Sequence, residues 1–432
     1  MKKYKFLIPI LLVFLFLISV YVSFDNKVTD AREYNKYLED AHSFRKQDIQ
    51  VDALENYMHA LEKKPSIELN IEIGNYYHTI GKENEAIECG EHIISKYPKN
   101  VEGYEYLIDL YMAKCDYVAC FGLADTMTAR KLSSKKIDGI LEEIAYKFEC
   151  VCDYSDVGAF SNGLCPVNVE NKWGYVDSWG KQVIPVEFVS AGYHSDGLAP
   201  VIDAKGNVFY IDSEGNKKKV ILNIKPVKEL GYIENGIFSL FNGETWGFYN
   251  NDEELLCGGY SNVSAMSDGV AAVEKSQKWM IIDASGKNVS GKSYDGVVMD
   301  EKRIVCRNGR IFVYEDDACN MIDRTGKVIG KKYEDARLFN DDTYAAVKIN
   351  GKWGFIDNNG NLKIEPKYED ARSFSFGLAA VKYKGKWGFI NSKDEAVIDF
   401  QFDESKDFNS RGNVFIKKEE KWNLLRLIKY NH

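Results

Sequence analysis

The sequence is poor in the residues that most often carry chemistry. It has six histidines, and none forms an H-x-x-x-H or H-E-x-x-H pair, which excludes the helical zinc-protease arrangement. There is no G-x-S-x-G segment, so the nucleophile elbow of the α/β-hydrolases is absent as well. Cysteines number nine, at Cys89, Cys115, Cys120, Cys150, Cys152, Cys165, Cys257, Cys306 and Cys319. The count is odd and no C-x-x-C occurs, which fits neither a dense disulfide framework nor a structural zinc site; these residues read as small buried hydrophobes. A net positive charge is also lacking. The net charge of -9 argues against a nucleic-acid partner, which normally leaves a basic footprint. No constellation for a cofactor or a metal emerges, and no enzymatic activity is expected.

What the chain does have is length, with 432 residues being more than one domain's worth. It also has a long apolar run. Lys2, Lys3 and Lys5 precede Phe6 to Phe24 (FLIPILLVFLFLISVYVSF). A helix over 6–24 reaches about 28 Å, near the thickness of a hydrocarbon core. A cleaved signal peptide has a shorter apolar core and a small-x-small site, whereas this run ends in Tyr21-Val22-Ser23-Phe24. The expectation is an uncleaved transmembrane helix at 6–24, with 1–5 a basic cytoplasmic N-terminus. The chain would then be a single-pass protein of the cytoplasmic membrane with its C-terminal domains extracytoplasmic.

Residues 31–149 show helical spacing. Ala53, Tyr57 and Ala60 precede Pro65; Gly74, Tyr77, Ala86 and Ile93 precede Pro98; Tyr104, Leu107, Tyr111 and Ala119 repeat the theme. This pattern resembles the tetratricopeptide repeat, a helical hairpin of about 34 residues with small residues at the crossing and proline at the exit. Three units are expected near 34–66, 67–99 and 101–132, with a capping helix N-capped by Ser133 or Ser134. A generic helical bundle is the alternative.

Residues 150–432 carry a second repeat. Lys172-Trp173-Gly174-Tyr175-Val176-Asp177 returns as Thr245-Trp246-Gly247-Phe248-Tyr249 and Lys278-Trp279-Met280-Ile281-Ile282-Asp283. It returns again as Lys352-Trp353-Gly354-Phe355-Ile356-Asp357, Lys386-Trp387-Gly388-Phe389-Ile390-Asn391 and Lys421-Trp422-Asn423-Leu424. Two further units, at Val208 and Cys319, keep the register without tryptophan, which makes eight units at roughly 35-residue spacing. Short apolar runs alternate with Gly and Asn turns, the mark of strands in tight hairpins, and predict three short strands per unit. Where it follows the WG strand, the Asp-x-x-Gly suits a turn, and a glycine after tryptophan allows close backbone approach. Trp173, Trp246, Trp279, Trp353, Trp387 and Trp422, with Gly174, Gly247, Gly354 and Gly388, are the structural repeat anchors. Tryptophan at a fixed place in every unit points to core rather than to a ligand platform.

On these residues the chain resembles the bacterial WG-repeat family over about 154–428. The family is largely of unassigned function, so the resemblance implies an interaction module rather than an activity. The last unit lacks a strand after Trp422, while Phe148 to Tyr154 aligns with Leu362 to Tyr368, the strand that is missing. Closed rings seal by such an exchange, which removes two exposed edges. A propeller-like ring is predicted, with an open β superhelix as the alternative.

One nucleotide motif matches literally, Gly286 to Ser293 as G-x-x-x-x-G-K-S. A phosphate loop needs a helix next, and Tyr294-Asp295-Gly296-Val297 is glycine-broken, so a turn with an edge strand is expected instead. The functional expectation is a membrane-anchored, non-enzymatic scaffold for protein partners not identifiable from sequence. The alternative is an extracytoplasmic carbohydrate- or cell-wall-binding protein that stacks a glycan on repeat aromatics.

Overall fold

A computed structural model describes residues 28–219, 221, 224–340 and 344–428, which fall into two units divided between Ala145 and Tyr146. The first unit is helical: α1 (28–46), α2 (Gln50–Lys63), α3 (Ile67–Thr79), α4 (Glu83–Lys96), α5 (Glu102–Ala113), α6 (Tyr117–Ala129) and α7 (Lys135–Ile144). Three helix starts, those of α3, α6 and α7, are capped by a side chain. Ser66 Oγ accepts from Leu69 N at 3.1 Å, Asp116 Oδ1 from Ala119 N at 3.0 Å, and Ser134 Oγ from Ile137 N at 3.4 Å, each relieving an orphan donor of the first turn. Helices α2 and α4 stop two residues short of Pro65 and Pro98, as the restriction on the residue before proline requires. Helices α1–α2, α3–α4 and α5–α6 run over 28–63, 67–96 and 102–129, and α7 follows with Ser134 as its N-cap.

Small residues let these helices cross closely. A Cβ on Gly74 would stand 2.1 Å from the Tyr106 hydroxyl, and one on Gly90 2.5 Å from Leu107. Ala53, Tyr57 and Ala60 of α2 are fully buried, and burial of a large apolar side chain contributes about 1.5–3 kcal/mol.

The expected membrane helix requires correction. Residues 6–24 lie outside the described residues, and among the described residues no helix is long and apolar enough to cross a membrane. A crossing needs about 20 consecutive apolar residues. The longest described helix, α1, instead carries Asp30, Arg32, Glu33, Lys36, Glu39 and Asp40. The transmembrane helix is therefore withdrawn, together with the single-pass placement in the cytoplasmic membrane and the extracytoplasmic domains that followed from it.

The second unit is an eight-bladed β-propeller. Blade seven shows the plan: Asp370–Ala371, Leu378–Tyr383, Lys386–Asn391 and Ala396–Phe402 pair in that order, all antiparallel. Six blades have four strands and blade five has five, rather than the three expected; in five of the four-stranded blades the inner strand has only two residues, too few to show any alternation in sequence. Blade four has three continuous strands, and its outer edge is completed by bridges from Trp279 to Tyr294 and from Ile282 to Asn288. Blades pack face to face. Trp353, Phe355 and Tyr368 of blade six share one core with Ala371, Phe374 and Val381 of blade seven. Serines tie neighbours together as well: Ser161 Oγ donates to the His194 carbonyl at 2.7 Å, and Ser375 Oγ accepts from Phe408 N at 2.9 Å.

Closure follows the exchange read from the sequence. Phe148–Tyr154 pairs antiparallel with Lys421–Leu427, so blade eight is built from both ends of the unit. Asn413 Nδ2 then donates to the Ser178 carbonyl of blade one at 2.7 Å, and Trp422 and Leu424 share a core with Val157, Val167 and Val176. The ring is closed, and the open superhelix is excluded.

Candidate functional site

The repeat anchors build the blades. Trp353, Trp387 and Trp422 keep only 6%, 5% and 4% of their surface, whereas Trp173, Trp246 and Trp279 are half-buried. The glycine that follows is imposed by the outer strand. A Cβ on Gly174 would stand 2.7 Å from the Ile184 carbonyl oxygen, on Gly354 2.6 Å from that of Ile364, and on Gly388 2.8 Å from that of Ile398. The outer strand slips register at these points, between Trp353 and Phe355 and between Trp387 and Phe389, bringing its backbone over the glycine. Gly247 meets the softer Leu255 side chain at 2.9 Å. The sequence reading missed the most deeply buried position, two residues past the tryptophan. Tyr175, Phe248, Phe355 and Phe389 are all 0% exposed there, as is Tyr210 at the same place in the unit of Val208. The signal was present, since residues i and i+2 of a strand share a face.

The Asp-x-x-Gly segment is a closed turn. Asp357 Oδ1 accepts from the backbone N–H of Asn359 and Asn361 at 2.9 Å each, Asn361 Nδ2 donates to Oδ2 at 3.0 Å, and Gly360 adopts φ +78°. Burial alone would raise the Asp357 carboxyl, but these bonds and Lys363 hold it down at about 2. The same turn recurs at Asp177, Asp283 and Asp323.

Other candidates from the sequence are occupied structurally. Residues 286–293 form the looped outer edge of blade four, with Gly291 at φ +64° and no helix following. The nine cysteines are free; Cys120, Cys165, Cys306 and Cys319 are buried, and burial pushes the Cys120 and Cys306 thiols up to about 11. Such thiols stay protonated and inert. Among the described residues, no group of three His, Cys, Asp or Glu could hold a metal.

The loops that follow the inner strands converge on a cavity of about 560 Å³, lined by segments from blades one, five, six, seven and eight. The residue immediately after each inner strand occupies one equivalent position, fixed by a backbone hydrogen bond to the second strand. Gly158 donates to Pro166, Gly192 to Pro200, Ser264 to Ala272 and Val298 to Phe312, at 2.8 to 2.9 Å. In blades six to eight the residues there are Arg337, Arg372 and Lys406, bonded to Ala346, Ala380 and Phe415 at the same spacing. Three consecutive blades thus place cations where blades one, two and four have Gly or Ser.

Blade five answers them. Its inner loop runs from 298 to 309, where blade seven needs only 372–377. This loop carries Glu301, whose Oε1 lies 2.9 Å from Lys406 Nζ and 3.5 Å from an Arg372 nitrogen. Burial pushes the Glu301 carboxyl up, but Lys406 and Arg372 outweigh it and hold the group below the ordinary value. Arg307 pairs with Asp300 at 3.2 Å, and Arg337 pairs with Asp370 at 2.9 Å while lying over the Trp353 ring. Lys302 is pushed down by burial and by Arg307, and its Nζ donates to the Phe160 carbonyl at 3.5 Å. Apart from Asp370, read with Glu369 as a solvated acidic pair, none of these charged residues was singled out from the sequence. Their common phase in the repeat was visible, but the loop that brings Glu301 to them was not.

The model of the WG containing repeat matches this unit at six places, residues 152–173, 173–203, 246–279, 321–353, 353–387 and 387–422. No curated protein matches the chain. Among solved structures, BamB from Moraxella catarrhalis is similar at 10% identity and TM-score 0.39, covering 66% of this chain and 94% of its own. Kluyveromyces lactis Hsv2p is similar at 9% identity and TM-score 0.38, covering 56% and 93%. PorZ of Porphyromonas gingivalis is similar at 11% identity and TM-score 0.35, covering 62% and 42%.

Proposed function

We propose that this chain, with WG repeats in its C-terminal unit, is a non-enzymatic scaffold that gathers protein partners through two repeat units, one tetratricopeptide-like and one a propeller. One observation carries the reading. The residues that recur are spent on architecture: the tryptophans pack between sheets, the glycines admit the outer strand, and the aspartates close turns. The repeat therefore multiplies surface rather than a reactive group.

The helical unit offers such surface. On α2, Val51 and Met58 are two turns apart on one face and are 76% and 47% exposed, and Ile49, just ahead of the helix, is 38% exposed. Exposed apolar clusters of this kind mark protein contacts. The test is proximity labelling by the full chain in its native host, compared with Val51→Asp/Met58→Asp. A defined set of proteins labelled by the wild type and lost from the variant supports the scaffold. Labelling no richer than that of an unrelated protein, together with retention on a glycan array, would overturn it in favour of carbohydrate binding.

A further inference from the structure

We propose that the cavity of the propeller binds a small organic dicarboxylate, and that Glu301 competes with one of the ligand's two carboxylates. The fold does not require cations at this place, because the equivalent position is filled by Gly158, Gly192 and Ser264 in other blades. Of the buried polar atoms on the cavity wall that lack a partner, three are guanidinium donors and one is an acceptor, Asp407 Oδ1. The Nε atoms of Arg307, Arg337 and Arg372 are all buried without a hydrogen-bond partner. A guanidinium presents its N–H groups as a rigid fork matched to a planar carboxylate, and leaving such donors unmet costs stability.

Glu301 shows where one carboxylate sits. Its oxygen lies 2.9 Å from Lys406 Nζ and only 3.5 Å from Arg372, close to the ammonium but looser than a hydrogen bond to the guanidinium. It reaches them on the extended blade-five loop, so its departure needs no rearrangement of a strand. A second carboxylate is met by Arg307 and Lys302 on the same cavity wall. The volume of about 560 Å³ suits a molecule of this size. Asp300, beside Arg307 at 3.2 Å, and Asp407, 3.7 Å from Arg372, temper the positive field and disfavour a compact polyanion.

The test is titration calorimetry on the full chain with succinate and glutarate as probes and inorganic phosphate as the control. Saturable binding of one probe is expected. It should be lost in Arg372→Gln, weakened but retained in Arg372→Lys, and about tenfold tighter in Glu301→Gln, where the internal competitor no longer holds the cations. If Arg372→Gln does not fold, as judged by circular dichroism, Arg307→Gln serves in its place with the same expected loss. Three results would overturn the proposal: no saturable binding to either wild type or Glu301→Gln, binding unchanged by loss of the arginine, or phosphate binding as tightly as the dicarboxylates.

Discussion

Tyr154 stands directly opposite Trp422 across the seam of blade eight, so the first strand of the propeller ends beside the tryptophan of its last repeat. The Tyr154 ring also meets Phe415 edge-on at 6.1 Å between centroids. The blade is thus assembled from segments at opposite ends of the unit, and neither is a complete sheet alone. Deletion of 148–154 should expose the edge of Lys421–Leu427 and promote self-association, measurable by light scattering at matched concentration. A truncated protein as monomeric as the parent would argue against this.

The buried tryptophans should matter more than the half-buried ones. Trp353→Ala and Trp387→Ala should each lower stability by about 3–5 kcal/mol, the range for an emptied aromatic site. Trp279→Ala, starting from a half-buried ring, should cost clearly less. Urea denaturation followed by circular dichroism gives the order, and equal costs across the three would refute the packing account.

Glycine substitutions should change sign with location. Gly354→Ala puts a Cβ 2.6 Å from a backbone carbonyl oxygen, which cannot swing aside, and should destabilise by about 1–3 kcal/mol. Gly139→Ala in α7 meets nothing within 4 Å and should stabilise the helical unit by about 0.5–1 kcal/mol. Thermal melts of the two variants decide it.

Acid should loosen the turns before the cores. The folded protein holds Asp357 at about 2, below its unfolded value of about 3.9. A group lowered on folding contributes stability that is fully present above the unfolded value and is lost as the pH falls through the folded one. The stability difference between wild type and Asp357→Asn should therefore be constant above about pH 4 and shrink toward pH 2. A difference that grew on acidification would carry the wrong sign.

Legibility in the sequence followed the distance over which each signal acts. The turns at Asp357 and Gly360, the N-cap at Ser134 and the tryptophan register were readable because each depends on residues within a few positions. The seam was readable because Phe148–Tyr154 repeats the pattern of Leu362–Tyr368, an echo across the chain. The inner strands were not, since a pair such as Asp370–Ala371 is too short to carry a period. The cavity charges were hidden for another reason. Arg372, Lys406 and Glu301 meet only once eight blades curve into a ring, and the blade-five extension that supplies Glu301 breaks the repeat. The apolar run at 6–24 gave an expectation about membranes that the described helices do not support.

One crosslink tests the closed ring directly. Cys150 lies opposite Leu425 across the seam, and paired positions of antiparallel strands stand about 4.5–5.5 Å apart at Cα, within disulfide reach. With the other cysteines replaced and Leu425→Cys introduced, mild oxidation should join the two ends of the propeller. The product should run faster on a denaturing gel and revert on reduction. Failure to crosslink here and at the neighbouring pair Phe148 and Leu427, each changed to cysteine, together with an elongated scattering profile, would contradict the ring.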